Sequence, residues 1–260
     1  MTDIYLGKML WDESCNTSYW NLVGSVAGIG GNIDTPTVSL ETSTLKHGNV
    51  SLKVVVPSGA KEYAHANHTF GTADDWTNKE YLLFWFYGIN DGSNVTVEID
   101  DGTLHSYTFV DNVGGWRFMA IHVANDVGVT TPSNITKFGF RFYAVGTFYI
   151  DFINIGCVLD FVTGYSRTRT SKIPIKKIPH GVSKRDSKVN VRDRIYNIRV
   201  RLTEVCRDCL ESLDDDQAWM GLDDQRIQET VWLDTMPLEH AMGYSHEPEV
   251  TNIVLVVSAV

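Results

Sequence analysis

The chain of 260 residues is 43% hydrophobic, with 21 glycines and 7 prolines, a composition typical of globular rather than disordered or collagen-like proteins. No apolar run approaches the ~20 residues of a membrane span, and no apolar leader follows the first methionine. We therefore expect no membrane partner and no signal peptide. The net charge is −10, and the charged residues are distributed unevenly along the chain.

The charge is divided into three segments. Residues 1–164 carry 8 Lys and Arg against 17 Asp and Glu, residues 165–201 carry 12 against 2, and residues 202–260 carry 2 against 13. The basic segment could bind nucleic acid, but its interleaved Ile and Val favour folded strands that pair with acidic surfaces. We expect the chain to form a homo-oligomer or to bind other particle subunits, and we do not expect it to bind nucleic acid.

Alternating apolar positions predict short antiparallel strands in the first domain, residues 1–164. Gly, Asp and Asn turns separate them every 8–12 residues, and no ten-residue helical period appears. The predicted strands cover 38–42, 50–56, 64–70, 81–87, 95–99, 105–110 and 116–123. This spacing indicates a mainly β, antiparallel sandwich or jelly roll and argues against a βαβ architecture.

The stretch 137–155 contains the strongest alternation. Phe138, Phe140 and Phe142 occupy every second position, a turn is predicted at 144–146, and an alternating apolar segment with Asp151 inside it follows. We interpret this stretch as a β-hairpin on which the sandwich closes.

Six segments between residues 10 and 157 together resemble the jelly-roll carbohydrate-binding modules of enzymes that degrade plant cell walls. They are WDE (11–13), KHGNVSLKV (46–54), YLLFWFY (81–87), VEIDDG (97–102), GGWRF (114–118) and GTFYIDFINI (146–155). The resemblance implies the fold more strongly than sugar binding, because this fold carries many functions.

The same resemblance implies a structural calcium ion between the first strand, a loop and the last strand. The matching positions are Asp12 or Glu13, backbone carbonyls near Lys46 and Gly48, and Asp151. Calcium takes six to eight oxygen ligands and would tie the chain ends together. The alternative is that Asp151 faces solvent and that Asp12 and Glu13 are ordinary surface acids.

Carbohydrate binding would need aromatic rings that stack on pyranose C–H groups and polar partners for the hydroxyls. The candidates, which could project from one concave sheet, are Trp85, Tyr87, Glu98, Asp100, Tyr107, Arg141 and Tyr143. Residue parity places Trp85 with Tyr87, and Arg141 with Tyr143. The alternative is that these aromatic residues belong to the core or form cross-strand pairs.

Catalysis has little support in the sequence. Glu98 and Asp100, with Asp101, could supply the two carboxylates of a glycosidase, but acids beside a glycine more often form turns. His65 and His68 are three residues apart and would face opposite sides of a strand, which disfavours a zinc pair. We expect no enzymatic activity.

The second domain, residues 165–260, is predicted to be a small β-rich (α+β), barrel-like unit. Strands are predicted at 189–191, 194–202, 227–234 and 250–260, with a helical spacing at 205–213. The segments IPIKKIPHG (173–181) and RIYNIRV (194–200) faintly resemble distal tail or baseplate proteins of tailed viruses. That resemblance implies assembly into a particle.

Four cysteines do not make a disulfide framework. Cys15 and Cys157 lie near the ends of the first domain and could be neighbours, and Cys206 and Cys209 form a lone CxxC that we interpret as structural. Whether either pair is bonded stays open at this point.

These features together predict a non-enzymatic structural or adhesion protein of a viral tail or similar particle, with a virion location and a cell-surface glycan as a possible ligand. The second reading is an extracellular accessory module of a glycan-degrading system. A glycoside hydrolase is the third.

Overall fold

A computed structural model describes residues 4–11, 20–24, 36–46, 50–58, 64–159, 162–172, 175–177, 183–185, 191–201, 209, 218–222, 228–235 and 250–257. The chain forms two compact units. The first, here called the sandwich, is Met9–Gly156, and the second consists of Met1–Lys8 and Cys157–Val260. The division thus falls before the sequence-based boundary at residue 164.

Within its described residues the sandwich contains ten strands: β2 (Trp20–Gly24), β3 (Thr37–Glu41), β4 (Ser51–Val56), β5 (Ala64–Asp74), β6 (Tyr81–Tyr87), β7 (Asn94–Asp100), β8 (Leu104–Val110), β9 (Trp116–His122), β10 (Ile135–Phe142) and β11 (Gly146–Leu159). Their pairing is antiparallel throughout, in the order β3-β4-β11-β6-β9 for sheet I and β2-β5-β10-β7-β8 for sheet II. The predicted jelly-roll β-sandwich is confirmed.

The core lies between the two sheets and is rich in phenylalanine. Phe138, Phe140 and Phe142 of β10 are fully buried, and Phe142 lies 4.5 Å, centroid to centroid, from Phe148 of β11. Aromatic pairs of this kind add to the free energy gained from apolar burial. The alternating apolar positions of the sequence therefore define the inner faces of both sheets.

The predicted hairpin at 137–155 is wrong. β10 pairs with β5 and β7 in sheet II, whereas β11 pairs with β4 and β6 in sheet I. Because each strand already has two neighbours within its own sheet, neither has an edge left to pair with the other. The short connection at 143–145 consequently crosses from one sheet to the other, and Phe142 of β10 meets Phe148 of β11 across the core.

Strand β6 is apolar on both faces, and five of its seven residues are buried. Phe84 and Phe86 belong to the core cluster, while Trp85 points to the other side and is only 1% exposed. Phe118 of β9 lies opposite Trp85 and its ring is 5.3 Å away.

Two short helical turns complete the described part of the sandwich, a π-helical turn at Val123–Val127 and a 3₁₀ turn at Pro132–Asn134. His122 caps the first turn by accepting the N–H of Asn125, and Gly128, at φ 88°, ends it. Among the described residues, no helix has the length and apolar character needed to cross a membrane.

The second unit contains a sheet of strands β1 (Ile4–Trp11, paired through Ile4–Lys8), β12 (Val162–Lys172), β15 (Val191–Arg201), β16 (Ala218–Leu222), β17 (Gln228–Thr235) and β18 (Val250–Val257). The order is β12-β15-β18-β17-β16-β1, all antiparallel. A separate pair joins β13 (Ile175–Lys177) to β14 (Ser183–Arg185). The β-rich character of this unit is confirmed, while the helical segment predicted at 205–213 lies outside the described residues except for Cys209.

Candidate functional site

The outer face of sheet II, here called the polar face, carries a cluster of paired polar and charged side chains. Strands β5, β10 and β7 are adjacent, so that His65, Arg141 and Thr96 stand in one row across the sheet. Asn67, Gly139 and Glu98 form the next row. The inner faces of the same strands supply core residues, so the alternation of each strand aims these polar groups away from the core.

Glu98 lies at the centre of a hydrogen-bonded network. Its side chain is only 3% exposed, its Oε2 is 2.8 Å from Nδ1 of His65, and its Oε1 accepts a hydrogen bond from Nη2 of Arg141. Arg141 also donates from Nη1 to the hydroxyl oxygen of Tyr143 at 3.3 Å. A buried carboxylate is tolerated only when it is paired and hydrogen-bonded, and Glu98 meets both conditions.

His65 is neutral at pH 7. Burial, together with the positive charges of Arg141 and Lys137, lowers its pKa from 6.5 to about 4. Because a carboxylate can only accept, we assign the proton of the neutral ring to Nδ1, which donates to Glu98.

A second ion pair lies along the same face. Nζ of Lys137 is 3.1 Å from Oδ2 of Asp100, and Oδ1 of Asp100 accepts the N–H of Gly102 at 2.9 Å. Burial raises the pKa of Asp100, but the hydrogen bonds from Lys137 and Gly102 outweigh it, and the net shift is downward. Both acids of this face are therefore held as hydrogen-bond acceptors.

Gly139 provides the floor between the two ion pairs. A Cβ at this position would lie 2.0 Å from Oδ1 of Asn67 and 2.7 Å from the backbone oxygen of Ala66. The side chain of Asn67 thus occupies the space that any other residue at 139 would need.

Exposed apolar groups flank the polar centre. Tyr143, 41% exposed, donates its backbone N–H to the carbonyl of Asn94, and Val110, 43% exposed, lies opposite Asn94 on β8. At the other end, Leu104 lies opposite Asp100 and is 49% exposed. The face therefore combines fixed charges in the middle with apolar surface at both ends.

Four of the seven predicted carbohydrate-binding residues come together on the polar face: Glu98, Asp100, Arg141 and Tyr143. The prediction that all seven project from one sheet is wrong. Trp85 and Tyr87 lie on the outer face of sheet I, and Tyr107, opposite Val97, packs against the core. The cause is that β6 belongs to sheet I, whereas β7, β8 and β10 belong to sheet II.

The rings of Trp85 and Tyr87 are occupied by protein neighbours. Nζ of Lys46 lies 4.1 Å from the ring centroid of Trp85. Tyr87 makes T-shaped contacts with Trp116 at 5.5 Å and with Tyr149 at 5.7 Å. Trp85 and Tyr87 therefore form cross-strand aromatic pairs, which is the alternative to sugar binding given by the sequence.

Sequence reasoning missed His65, Asn67, Lys137 and Gly139 as members of the polar face. The signal for two of them was present, because the alternation of Phe138, Phe140 and Phe142 puts Lys137 and Gly139 on the same side as Arg141. The pairing of β5 with β10, which adds His65 and Asn67, had no local signal.

Part of the predicted calcium site can be located. Asp151 is 2% exposed, and its Oδ2 accepts the backbone N–H of Lys46 at 2.8 Å, so the alternative that Asp151 faces solvent is wrong. Asp12, Glu13 and Gly48 lie outside the described residues. Within the described ranges, no three His, Cys, Asp or Glu side chains come together as a metal site, and one carboxylate does not satisfy calcium. The calcium ion stays a prediction.

Cys157 and Cys209 are both buried. Cys15 and Cys206 lie outside the described residues, so both disulfide questions stay open.

No protein-family model and no curated protein matches this chain. Similar solved structures include an exo-β-agarase, with a TM-score of 0.45 and 17% identity over 57% of this chain and 25% of that chain. They also include the family 11 carbohydrate-binding module from Clostridium thermocellum in complex with a β-1,3-1,4-mixed-linked tetrasaccharide (TM-score 0.42, 17% identity, 58% of this chain, 95% of that chain). A third is the enzymatically active domain of tailspike protein 4 of bacteriophage CBA120 (TM-score 0.38, 20% identity, 54% and 20%). The matched region spans only about a quarter of the agarase chain, and the fold assignment rests on the strand order and register of this chain itself.

Proposed function

We propose that this chain is a non-catalytic carbohydrate-binding protein whose ligand lies on the polar face of sheet II. The observation that carries the proposal is the fixed network of Glu98, His65 and Arg141 beside the exposed ring of Tyr143. It provides directed hydrogen-bonding groups and an apolar surface within one face, as sugar recognition requires.

The ion pairs hold the polar side chains in place before any ligand arrives. Arg141 is fixed by Glu98, and Lys137 is fixed by Asp100, so little side-chain freedom remains to be lost on binding. Sugar hydroxyls would find the partly exposed carboxylate of Asp100 as acceptor and the guanidinium of Arg141 and the ammonium of Lys137 as donors. The C–H face of a pyranose would stack on Tyr143.

A glycosidase needs one carboxylic acid that donates a proton and a second carboxylate that acts as nucleophile or base. Here Glu98 is held by Arg141, and Asp100 has a lowered pKa beside Lys137, which favours the ionised form. This arrangement supports ligand binding and gives no support to acid catalysis.

Calorimetric titration of the full chain with mixed-linkage β-glucan and agaro-oligosaccharides tests the proposal. We expect saturable binding, a loss of roughly tenfold or more in affinity for Tyr143→Ala, and no loss for Tyr87→Ala on the opposite sheet, since truncating an aromatic anchor of a binding site typically costs about 2 kcal/mol or more. No reducing ends should appear. Equal losses in both variants, or release of reducing ends that Glu98→Gln abolishes, would contradict it.

We further propose that the second unit builds the sandwich into a larger particle such as a viral tail or baseplate, where the chain would act as an adhesion protein of the virion. The supporting observation is the basic segment of net charge +10 between two acidic segments of −9 and −11. Light scattering of the full chain tests this role, because assembly driven by these charges should weaken at high salt. A chain that stays monomeric at low salt would instead favour an extracellular accessory module of a glycan-degrading system.

A further inference from the structure

The register of β12 against β15 gathers four arginines of the second unit. Arg169 lies directly across from Arg194, Arg167 lies across from Tyr196, and Ser171 lies across from Arg192. Alternate residues of a strand share a face, and directly paired residues share it too. Arg167, Arg169, Arg192 and Arg194 therefore occupy one face near one end of this sheet, here called the arginine face.

No acidic residue shares that face on either strand. Asp193, the one acid within β15, occupies the opposite face, and β12 contains no acid. Like charges placed directly opposite each other in a sheet repel, so the Arg169–Arg194 pair is unfavourable by itself. An anionic partner over the arginine face would remove this repulsion.

The position of the face suits a partner outside the sheet. In the part of the chain that the structure describes, β12 is the terminal strand of its sheet, and β15 is the next strand. A partner over the arginine face would therefore lie at the edge of the sheet, where no further described strand follows β12.

The charge of the chain identifies the partner's chemistry. Residues 202–260 carry a net charge of −11, including the run Asp214-Asp215-Asp216, so every copy of the chain contains an acidic segment that complements the arginine face. The acidic segment is favoured over a nucleic acid because every copy of the chain supplies it: residues 202–260 hold 13 Asp and Glu against 2 Lys and Arg.

We infer that the arginine face binds the acidic C-terminal part of a second copy of this chain. This inference rests on the proposed assembly role, and it is independent of glycan binding. It names the contact by which copies associate, basic strands of one copy against the acidic segment of the next.

Sedimentation velocity of the full chain at low and high salt provides the test, with two matched double variants. Arg169→Glu with Arg194→Glu reverses two charges on the arginine face, whereas Arg199→Glu with Arg201→Glu makes the same charge change on the opposite face of β15. We expect the first variant to weaken self-association roughly tenfold or more and the second to have a much smaller effect, because only the first introduces repulsion at the contact. Circular dichroism checks that both variants fold.

A charge swap gives the sharper result. A chain with Asp214, Asp215 and Asp216 replaced by Lys should associate weakly with itself but form mixed complexes with the Arg169→Glu, Arg194→Glu chain. Equal effects of the two double variants, with self-association intact in the parent, would overturn the inference and leave the assembly role standing. A monomeric parent at low salt would overturn both. Failure of the swapped chains to associate, or binding of heparin at the arginine face by a monomer, would overturn the inference alone.

Discussion

The two outer faces of the sandwich use their side chains in opposite ways. On sheet I, Tyr87 contacts Trp116 and Tyr149 edge to face, and Lys46 lies over Trp85. On the outer face of sheet II, Arg141 pairs with Glu98 and Lys137 pairs with Asp100 on the neighbouring strand. The ring of Tyr143 is exposed at one end of that face. The comparison shows that aromatic content does not identify a ligand surface. Rings already satisfied by protein neighbours stabilise the fold, whereas a pre-organised polar row with a neighbouring exposed ring can receive a ligand.

The largest expected effect comes from removing the cation that pairs with the buried acid. Arg141→Met leaves Glu98, 3% exposed, without its guanidinium partner, and breaking a buried pair in this way costs about 3 kcal/mol or more. Urea denaturation at pH 7 measures the loss.

Lys137→Met is the matched control on the same strand. The Lys137–Asp100 pair is partly exposed, with 33% and 21% of the two side chains accessible, and such pairs contribute about 1 kcal/mol or less. Equal losses in the two variants would mean that burial does not distinguish the two ion pairs of the polar face.

Gly139→Ala tests the floor of the face. The added Cβ meets Asn67 and the backbone of Ala66, and overpacking of this kind costs about 2 kcal/mol. Gly71→Ala, on the neighbouring strand β5, is the control, because nothing lies within 4 Å of its Cβ position. If thermal denaturation shows the same small change for both, Asn67 moves aside and the floor is not rigid.

The sequence predicted the sandwich but not the complete site, because the site depends on contacts between residues that are far apart in sequence. Alternation along a strand is a local property, so the inward rows of β10 and the outward position of Arg141 could be read directly. Which strand joins which sheet depends on contacts between residues far apart in sequence. That information was needed to separate Trp85 and Tyr87 from Glu98 and to bring His65 to it.

The hairpin error has the same origin. Two alternating segments separated by a short turn signal normally predict a hairpin. Here β5 and β7 take both edges of β10, and the short connection leads to the other sheet. A hairpin and a connection between sheets give the same local sequence pattern, because the same phenylalanines face the core in both arrangements.

The pH dependence of stability should distinguish His65 from the acids. Its folded pKa of about 4 lies below the ordinary 6.5, so the unfolded chain binds the proton more tightly and stability falls as the pH drops from 6.5 to 4. Allowing for partial exposure, we expect a loss of about 1–2 kcal/mol from this group.

Comparison of the parent with His65→Gln isolates this contribution, because the amide can still donate to Glu98. Burial also lowers the pKa of His68, so a smaller slope should remain in the variant. Burial raises the pKa of Asp101, but hydrogen bonds from the N–H groups of Thr131 and Thr130 outweigh it and lower the pKa to about 2. The contribution of Asp101 to stability is therefore lost only below its ordinary pKa of 3.8. An unchanged slope between pH 6.5 and 4 in His65→Gln would contradict the assignment.

The smallest expected effect tests the aromatic face of sheet I itself. Tyr87→Leu removes two edge-to-face contacts while retaining most of the apolar bulk, and we expect a loss of about 1 kcal/mol in the free energy of unfolding. Tyr143→Leu on the polar face should change stability much less, because its ring is 41% exposed and lies outside the core. If Tyr143→Leu destabilises the fold as much as Tyr87→Leu, the ring of Tyr143 is a structural element. The contrast between a face that uses its aromatic rings for stability and one that keeps a ring for ligand would then fail.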